Sequence, residues 1–295
     1  MNLLAVDIGG TFVKYALISD SGEMIQKWKI RNELKDEASF LQFLTQLIIK
    51  YQEQIAGVGL SLAGVVNVHR QEIISSAVLP FLEGSRLFVN LAKQFNLPIV
   101  LENDGNCAAL AEQKFGSLKQ VENAAMLVLG TGVGGALFIN HQLVHGTHFV
   151  AVEPSFMILN ELAPTGREQT AANLSVTEMV KRIGQHLKLP DENDGRAVFQ
   201  QIAQGEPFAT QEFNDFCYSV SAIMFNLQTM LDLECIVIGG GISQQPLLIK
   251  KLVTDLRTYH QADQLTRRTM KLPEVRAAHF FNDANLIGAI VPLLK

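Results

Sequence analysis

The feature that most constrains the fold is a pattern of apolar run, glycine-rich turn and apolar run that occurs twice in the chain. The first copy, residues 3–18, reads LLAVDIGGTFVKYALI, and the second, residues 126–139, reads MLVLGTGVGGALFI. Short apolar runs joined by a tight turn are typical of antiparallel β-hairpins. Helical and strand patterns alternate elsewhere in the chain, so the sequence predicts an α/β fold with two similar lobes facing each other across a cleft.

The charge balance excludes a nucleic-acid-binding surface built on bulk positive charge. The 295 residues include 24 Lys and Arg against 29 Asp and Glu, a formal net charge of −5. A protein of this charge that binds phosphates must use backbone N–H groups and a metal ion. Cys107, Cys217 and Cys235 are widely spaced, so we expect buried thiols rather than a disulfide or a zinc framework.

The sequence predicts a cytoplasmic protein without a membrane-spanning segment. Asp7 interrupts the first apolar run before it could serve as the apolar core of a signal peptide. The apolar stretch at residues 124–139 contains four glycines and is shorter than the ~20 residues that a spanning helix needs. A buried pair of strands explains it better.

The first glycine-rich turn is a candidate phosphate site. Gly9, Gly10 and Thr11 allow the backbone to approach a ligand and to direct N–H groups at it. Asp7 is placed to hold a hydrated Mg²⁺ beside the same phosphates, and Lys14 is the nearest cation. From spacing alone, a carboxylate that only caps the turn is an equally good interpretation of Asp7.

The second glycine-rich turn, GTGVGG at residues 130–135, matches the GxGxxG pattern of dinucleotide-binding folds, with Glu153 downstream. That fingerprint requires the glycines to open a helix, whereas residues 136–139 form a short β-type run that ends in a turn. We therefore favour a second phosphate loop between strands. An NAD-dependent oxidoreductase is kept as an alternative function.

Residues 98–102 predict a strand that runs into Asn103 and Asp104 and then into a helix. At such a position Asp104 could accept the proton of a substrate hydroxyl while Asn103 orients that hydroxyl, or either residue could simply cap the helix. A glycine run at residues 239–241 leaves room for a flat ring or a phosphate, or forms an ordinary turn. Three histidines are predicted to be solvated loop residues rather than metal ligands: His141, His145 and His148.

Five motifs occur in order over most of the chain: AVDIGGTFVK, GLSLAGVV, LENDGNCAALAE, LVLGTGVGGALF and IVIGGGIS. Together they resemble the ROK family of sugar kinases, within the sugar kinase, Hsp70 and actin superfamily. The resemblance implies two RNase H-like lobes of the actin and hexokinase type, closing over ATP, Mg²⁺ and a sugar, in a homodimer. The expected boundaries are residues 1–117 with 282–295 for the smaller lobe and residues 118–281 for the larger lobe.

The activity that the resemblance implies is transfer of the γ-phosphoryl group of ATP to a sugar hydroxyl. The 6-OH of a hexose is expected, with a β-glucoside, glucose or N-acetylmannosamine as candidate substrates. Asp104 matches the catalytic base, and the sugar side matches Gly64, Asn103, Glu153 and Glu168. The residues that match the ATP side are Asp7 (also the Mg²⁺ residue, through water), Gly9, Gly10, Thr11, Lys14, Gly130, Thr131, Gly132, Gly134, Gly239, Gly240 and Gly241.

The chain departs from the family pattern after Glu153. Many members continue with a Gly-His pair and a CxCGxxGCxE zinc loop, whereas Phe156 occupies the histidine position here and residues 163–168 contain no cysteine. No structural zinc is expected, because Phe cannot replace an imidazole ligand. Val78 stands where relatives often carry Asn, which leaves room for a different sugar pocket. Zinc-free members of this kind look similar to the β-glucoside kinase branch.

A sugar-sensing transcriptional regulator of the same family is the alternative from another functional class. Those relatives carry a DNA-binding helix-turn-helix ahead of the first phosphate motif. Asp7 lies too close to the start of this sequence to leave room for such a domain, and the net charge is acidic. We therefore expect an enzyme whose partners are ATP and a sugar, without nucleic acid or membrane partners.

Overall fold

Two units can be distinguished in the structure, a computed structural model that describes residues 1–163 and 166–294. Unit 1 consists of Met1–Lys119, His145–Ala151 and Asn282–Lys295, and unit 2 of Gln120–Val144 and Val152–Phe281. Pro164 and Thr165, in the segment compared with the zinc loop, lie outside the described residues.

One mixed β-sheet organises unit 1. Strands β1–β7 occupy Asn2–Ile8, Phe12–Ser19, Met24–Arg31, Ile55–Leu62, Val65–Asn67, Glu72–Ser75 and Ile99–Asn103. Five of them form a sheet in the order β3-β2-β1-β4-β7, while β5 and β6 pair separately. Because β4 and β7 run parallel to β1, the carboxyl ends of these three strands lie along the same edge of the sheet.

The helices of unit 1 include α1 (Glu37–Tyr51), α2 (Leu87–Phe95) and α3 (Asp104–Phe115). Helix α1 begins at a capping box, in which the Asp36 carboxylate accepts the backbone N–H of Ser39 at 2.7 Å. That hydrogen bond lowers the pKa of Asp36. Helix α1 buries Phe40, Leu44 and Ile48 against the core, at the spacing of one helical face.

Unit 2 repeats the same sheet arrangement. Strands β8–β12 occupy Ala124–Leu129, Val133–Ile139, Gln142–Leu143, Cys235–Gly239 and Glu274–Ala277, in the order β10-β9-β8-β11-β12. Again two antiparallel strands flank one side of the first strand and two parallel strands the other. The duplicated topology confirms the α/β class with two similar lobes that the repeated motif predicted.

The helices of unit 2 are α4 (Val176–His186), α5 (Gly195–Gln204), α6 (Pro207–Leu231), α7 (Pro246–Gln261) and α8 (Gln264–Thr269). Among the helices in the described ranges, none is long and apolar enough to cross a membrane. The three cysteines, Cys107 in unit 1 and Cys217 and Cys235 in unit 2, are buried free thiols, as predicted.

The last helix, α9 (Ala284–Ala289), belongs to unit 1. It approaches its neighbours so closely that a Cβ on Gly288 would lie 1.6 Å from the Cys107 carbonyl oxygen in α3, and one on Gly59 in β4 would lie 2.1 Å from the Ala289 carbonyl oxygen. The sequence predicted one helix over residues 284–294. Instead, α9 ends at Ala289 and a 3₁₀ turn follows at Val291–Leu293, because Pro292 cannot donate the backbone hydrogen bond that continues a helix.

Candidate functional site

A buried carboxylate, Asp7, lies at the carboxyl edge of the unit 1 sheet. Its register neighbour in β4 is Ser61, whose hydroxyl donates to Asp7 Oδ1 at 3.0 Å. Asn285 Nδ2 in α9 donates to the same oxygen at 3.1 Å, and Lys14 Nζ contacts Oδ2 at 3.2 Å. One cation and two neutral donors therefore compensate the charge of a side chain that is only 6% exposed.

The turn that follows Asp7 is held by its own backbone and by Asn32. The Gly9 N–H donates to the Phe12 carbonyl at 3.1 Å, and Asn32 Nδ2 donates to the Gly9 carbonyl at 2.8 Å. The N–H groups that this turn can offer a phosphate are therefore those of Gly10 and Thr11, rather than of all three predicted residues. A Cβ on Gly10 would meet nothing within 4 Å, so the backbone there is open to a ligand.

Asn103 and Asp104 lie on the same sheet edge, where β7 ends and α3 begins. Asn103 Oδ1 accepts the Asn106 N–H at 3.0 Å, so the capping interpretation of Asn103 is correct for this oxygen. Its Nδ2 donates to the Gly64 carbonyl at 3.0 Å, which brings these two predicted sugar-side residues together. Asp104 is the first residue of α3 and accepts the Gly105 N–H at 2.9 Å; an anionic side chain is favoured in the first turn of a helix.

Glu102 lies directly before this turn and was not predicted as a candidate site residue. It is 3% exposed. Its Oε1 accepts the Asn103 N–H at 2.8 Å and Asn106 Nδ2 at 2.9 Å, and its Oε2 lies 2.7 Å from His145 Nε2. The prediction that His145 is a solvated loop residue is therefore wrong, because its ring contacts Glu102, a residue remote in sequence. His141 and His148 are exposed, as expected.

The stretch that carries His145 was predicted to belong to the larger lobe. In the structure His145–Ala151 packs with unit 1, through the His145–Glu102 hydrogen bond and an edge contact between the Phe149 and His69 rings, whose centroids are 5.7 Å apart. The sequence offered no signal for either contact, since both join segments far apart in the chain.

The pKa of the Cys107 thiol depends on burial and on the charges near the start of α3. Burial raises the pKa of its thiol well above the ordinary value, and the negative charges of Glu102, Asp7 and Asp104 raise it further, against a hydrogen bond with Ser61.

In unit 2 the second glycine-rich turn joins β8 to β9, two antiparallel strands. The Gly130 N–H donates to the Gly132 carbonyl at 2.9 Å, so the N–H groups of Thr131 and Gly132 are the candidate phosphate donors. A Cβ on Gly130 would meet nothing within 4 Å, and one on Gly134 would meet only Val128, at 3.8 Å. Because a strand follows the turn, the helix that a dinucleotide fingerprint requires is missing.

A cavity of about 510 Å³ lies beside this turn. It is lined by hydroxyl, amide and charged side chains, including Thr131, Asn173, Ser175, Glu178 and Arg182. The Val176 N–H at the start of α4 donates to the Gly130 carbonyl at 2.8 Å, which fixes the turn to the cavity wall. The lining is polar enough to accommodate phosphate or ribose groups.

The predicted run at Gly239, Gly240 and Gly241 contains two structural glycines and one open position. A Cβ on Gly239 would lie 2.5 Å from the Met126 methyl group, and Gly240 has a φ of +90° and would place a Cβ 2.0 Å from the Leu129 carbonyl oxygen. A Cβ on Gly241 would meet nothing within 4 Å. Packing therefore explains the first two glycines, and approach of a ligand would explain the third.

Glu153 and Glu168 are exposed residues of one loop in unit 2. Its two limbs are joined by hydrogen bonds from the Leu159 N–H to the Gln169 carbonyl and from the Ala171 N–H to the Met157 carbonyl, both 2.8 Å. Phe156 is 73% exposed at the position of the zinc-binding histidine of relatives. Within the described ranges, no three His, Cys, Asp or Glu residues are grouped so as to hold a metal ion.

Comparison with known proteins assigns this architecture. The model of the ROK family matches residues 3–294. The chain is 28% identical to the beta-glucoside kinase of Klebsiella pneumoniae over 295 residues, covering 98% of this chain and 95% of that protein. It is 27% identical to the glucokinase of Halalkalibacterium halodurans over 310 residues, covering 97% and 92%. A crystal structure of a ROK family protein from Streptococcus pneumoniae TIGR4 in complex with sucrose matches with a TM-score of 0.85 and 30% identity, covering 100% of this chain and 98% of that one.

Proposed function

The chain belongs to the ROK family, and on that premise we propose that it is an ATP-dependent sugar kinase. The observation that carries the proposal is the placement of two carboxylates on one sheet edge of unit 1. Asp7 lies near the end of β1, beside the first glycine-rich turn, and Asp104 directly follows β7, which is two strands away in the sheet. At ordinary strand spacing that is roughly 10 Å, enough to separate a phosphate-side acid from a sugar-side base.

Asp104 is the proposed general base. It takes the proton of the attacking sugar hydroxyl, whose oxygen bonds to the γ-phosphorus while the bond from phosphorus to the ADP oxygen breaks. Asn103 is fixed by its bonds to Asn106 and Gly64 and orients the hydroxyl. Alignment of this kind supplies much of the rate, since phosphoryl transfer requires little covalent work from the protein.

The phosphates of ATP are proposed to bind to turn backbones rather than to a basic patch. Thr11 and Gly10 supply the donors in unit 1, and Thr131 and Gly132 those in unit 2, with Lys14 adding positive charge. The open positions support this assignment, because no packing contact within 4 Å requires a glycine at Gly10, Gly130 or Gly241. The Gly239–Gly241 turn is proposed on the adenosine side.

Asp7 is the proposed Mg²⁺ residue. Its two oxygens already accept from Ser61, Asn285 and Lys14, so the carboxylate fits a metal bound through water better than one bound directly. When bound, Mg²⁺ would neutralise phosphate charge. Ser61, Asn285 and Lys14 hold the carboxylate in the orientation for that role.

Glu153 and Glu168 are the proposed ligands of sugar hydroxyls in unit 2. The relatives named a beta-glucoside kinase and a glucokinase favour a substrate with a glucose ring, phosphorylated at the 6-OH. No zinc is proposed for the loop, given Phe156 and the lack of cysteine in residues 157–168. The family resemblance alone supports the proposal of a cytoplasmic homodimer.

A coupled ADP-release assay tests the kinase activity. We expect Mg²⁺-dependent ADP release with at least one member of a panel of glucose, N-acetylmannosamine, fructose, cellobiose and gentiobiose, abolished by EDTA. Thermal shifts with each sugar, with ATP and with NAD are measured in parallel. Sugar binding without ADP release from any member would contradict the kinase and indicate a sensor, and a shift with NAD but not with ATP would indicate the oxidoreductase.

A further inference from the structure

Glu102 accepts hydrogen bonds from the turn that carries Asn103 and Asp104. Its Oε1 accepts from the Asn103 backbone N–H and from Asn106 Nδ2, at 2.8 and 2.9 Å. These two donors flank Asp104 in sequence, and Asn106 is also the residue whose N–H is capped by Asn103. The position of this carboxylate therefore sets the geometry of the first turn of α3.

His145 fixes the other carboxylate oxygen. Glu102 is 3% exposed, and a buried carboxylate must be compensated by donors. The Oε2 of Glu102 lies 2.7 Å from His145 Nε2. Because a carboxylate oxygen only accepts, Nε2 must carry the hydrogen in this contact. The neutral turn donors hold one oxygen and the imidazole holds the other, so the carboxylate is held from both sides.

The histidine comes from a separate part of the chain. His145–Ala151 belongs to unit 1, although Val144 before it and Val152 after it belong to unit 2. The bond to Glu102 forms when this stretch docks on unit 1. Glu153, the proposed sugar ligand, follows the stretch by two residues in the sequence.

We propose that His145 is a positioning residue for phosphoryl transfer: through Glu102 it fixes the turn that presents Asn103 and Asp104. The role in phosphoryl transfer rests on the proposed function, whereas the ordering of the turn does not. Loss of the His145 donor allows Glu102 to rotate and the Asn103 N–H to open. A base displaced by even about 1 Å costs up to roughly 100-fold in rate, so we expect kcat to fall by about 10- to 100-fold.

The test compares His145→Leu, which removes the donor, with His145→Gln, whose amide can donate to Glu102. His148→Leu is the matched control, since His148 lies in the same stretch and is exposed. Hydrogen exchange is followed for peptides covering residues 101–106, together with kcat and the KM values for ATP and sugar. We expect faster exchange of the Asn103 amide and a lower kcat in His145→Leu with KM for ATP within about 2-fold, and near-wild-type values in the other two variants.

A double-mutant cycle with Glu102→Gln shows whether His145 acts through Glu102. The kcat loss from His145→Leu should be much smaller in the Glu102→Gln background than in the wild type. Should His145→Leu fail to fold, His145→Asn, whose amide is too short to reach Glu102, replaces it. Exchange at Asn103 and kcat indistinguishable from His148→Leu would overturn the proposal. If the wild type phosphorylates no sugar, the kinase proposal fails, and hydrogen exchange alone decides the positioning role.

Discussion

At the residue scale, Asp104 lies where the parallel strand β7 ends and helix α3 begins. Its carboxylate accepts the Gly105 N–H at 2.9 Å in the first turn of α3. Its neighbour Asn103 is immobilised by two hydrogen bonds. The candidate site therefore presents a carboxylate beside an amide of defined orientation, which is what the proposed activation of one sugar hydroxyl among several requires.

Asp104→Asn should preserve the fold and sugar binding and lower kcat by roughly 10²–10⁴, the usual contribution of a general base. An amide can still accept the Gly105 N–H but cannot take the hydroxyl proton. Steady-state kinetics with a sugar that supports ADP release provides the measurement, and sugar-induced thermal shift is the control for binding. Turnover close to that of the wild type would remove Asp104 from the proposed role.

Cys107 should be inert in the native protein. Burial raises the pKa of its thiol well above the ordinary value, with Glu102 as the next contributor, so the thiol stays protonated at pH 7–8. Since the thiolate is the reactive form, we expect iodoacetamide to label native Cys107 at least about 100-fold more slowly than the urea-unfolded chain. Mass spectrometry of the labelled peptide measures this rate. Equal labelling with and without urea would show that the start of α3 opens readily.

The residues that the sequence could identify are those defined by local motifs. Asp7, Asn103 and Asp104 each follow an apolar run that ends in a turn, and this pattern is local. Ser61, Asn285 and His145 lie 54, 278 and 43 residues from their partners, and no periodicity encodes such contacts. The supporting residues of the site therefore required the folded structure.

At the element scale, α3 is held by α9 through direct backbone contact. Gly288→Ala should destabilise unit 1 by about 3 kcal/mol or more, because its Cβ would lie 1.6 Å from the Cys107 carbonyl oxygen and the helices would have to separate. Urea unfolding monitored by hydrogen exchange of unit 1 peptides measures the change. Gly195→Ala is the control, since a Cβ there would meet only Val180, at 4.0 Å. A stability equal to that of the control would mean that α9 can move away without cost.

The sequence predicted element types better than element ends. Apolar runs that alternate with turn residues predicted both hairpins and the strand that leads into Asn103. Helix α6 begins at Pro207, since proline suits the first turn of a helix. The end of α9 was also predicted incorrectly: Pro292 cannot donate the hydrogen bond that continues a helix, and a 3₁₀ turn follows at Val291–Leu293.

At the scale of the whole molecule, the two units have separate hydrophobic cores, and the core of unit 1 includes residues from β1, β2, β4 and α1. Unit 1 also contains Asn282–Lys295 from the far end of the chain. One packing partner of β1 and β4, helix α9, thus comes from this last segment. Local sequence patterns predicted the strands. They did not predict that residues 282–294 return to pack on these strands, because that depends on the topology of the whole chain.

Ending the chain at Phe281 should therefore unfold unit 1 and leave the core of unit 2 intact. The truncation removes Leu286, Ile287 and Ile290, all at most 4% exposed, and burial of three such side chains contributes about 5–9 kcal/mol, comparable with the stability of a whole domain. It also removes Asn285, a donor to Asp7. Limited proteolysis of the truncated and full chains in parallel should show rapid cleavage within residues 1–119 and continued protection of α6. Equal protection of both units after truncation would show that unit 1 does not depend on its last segment.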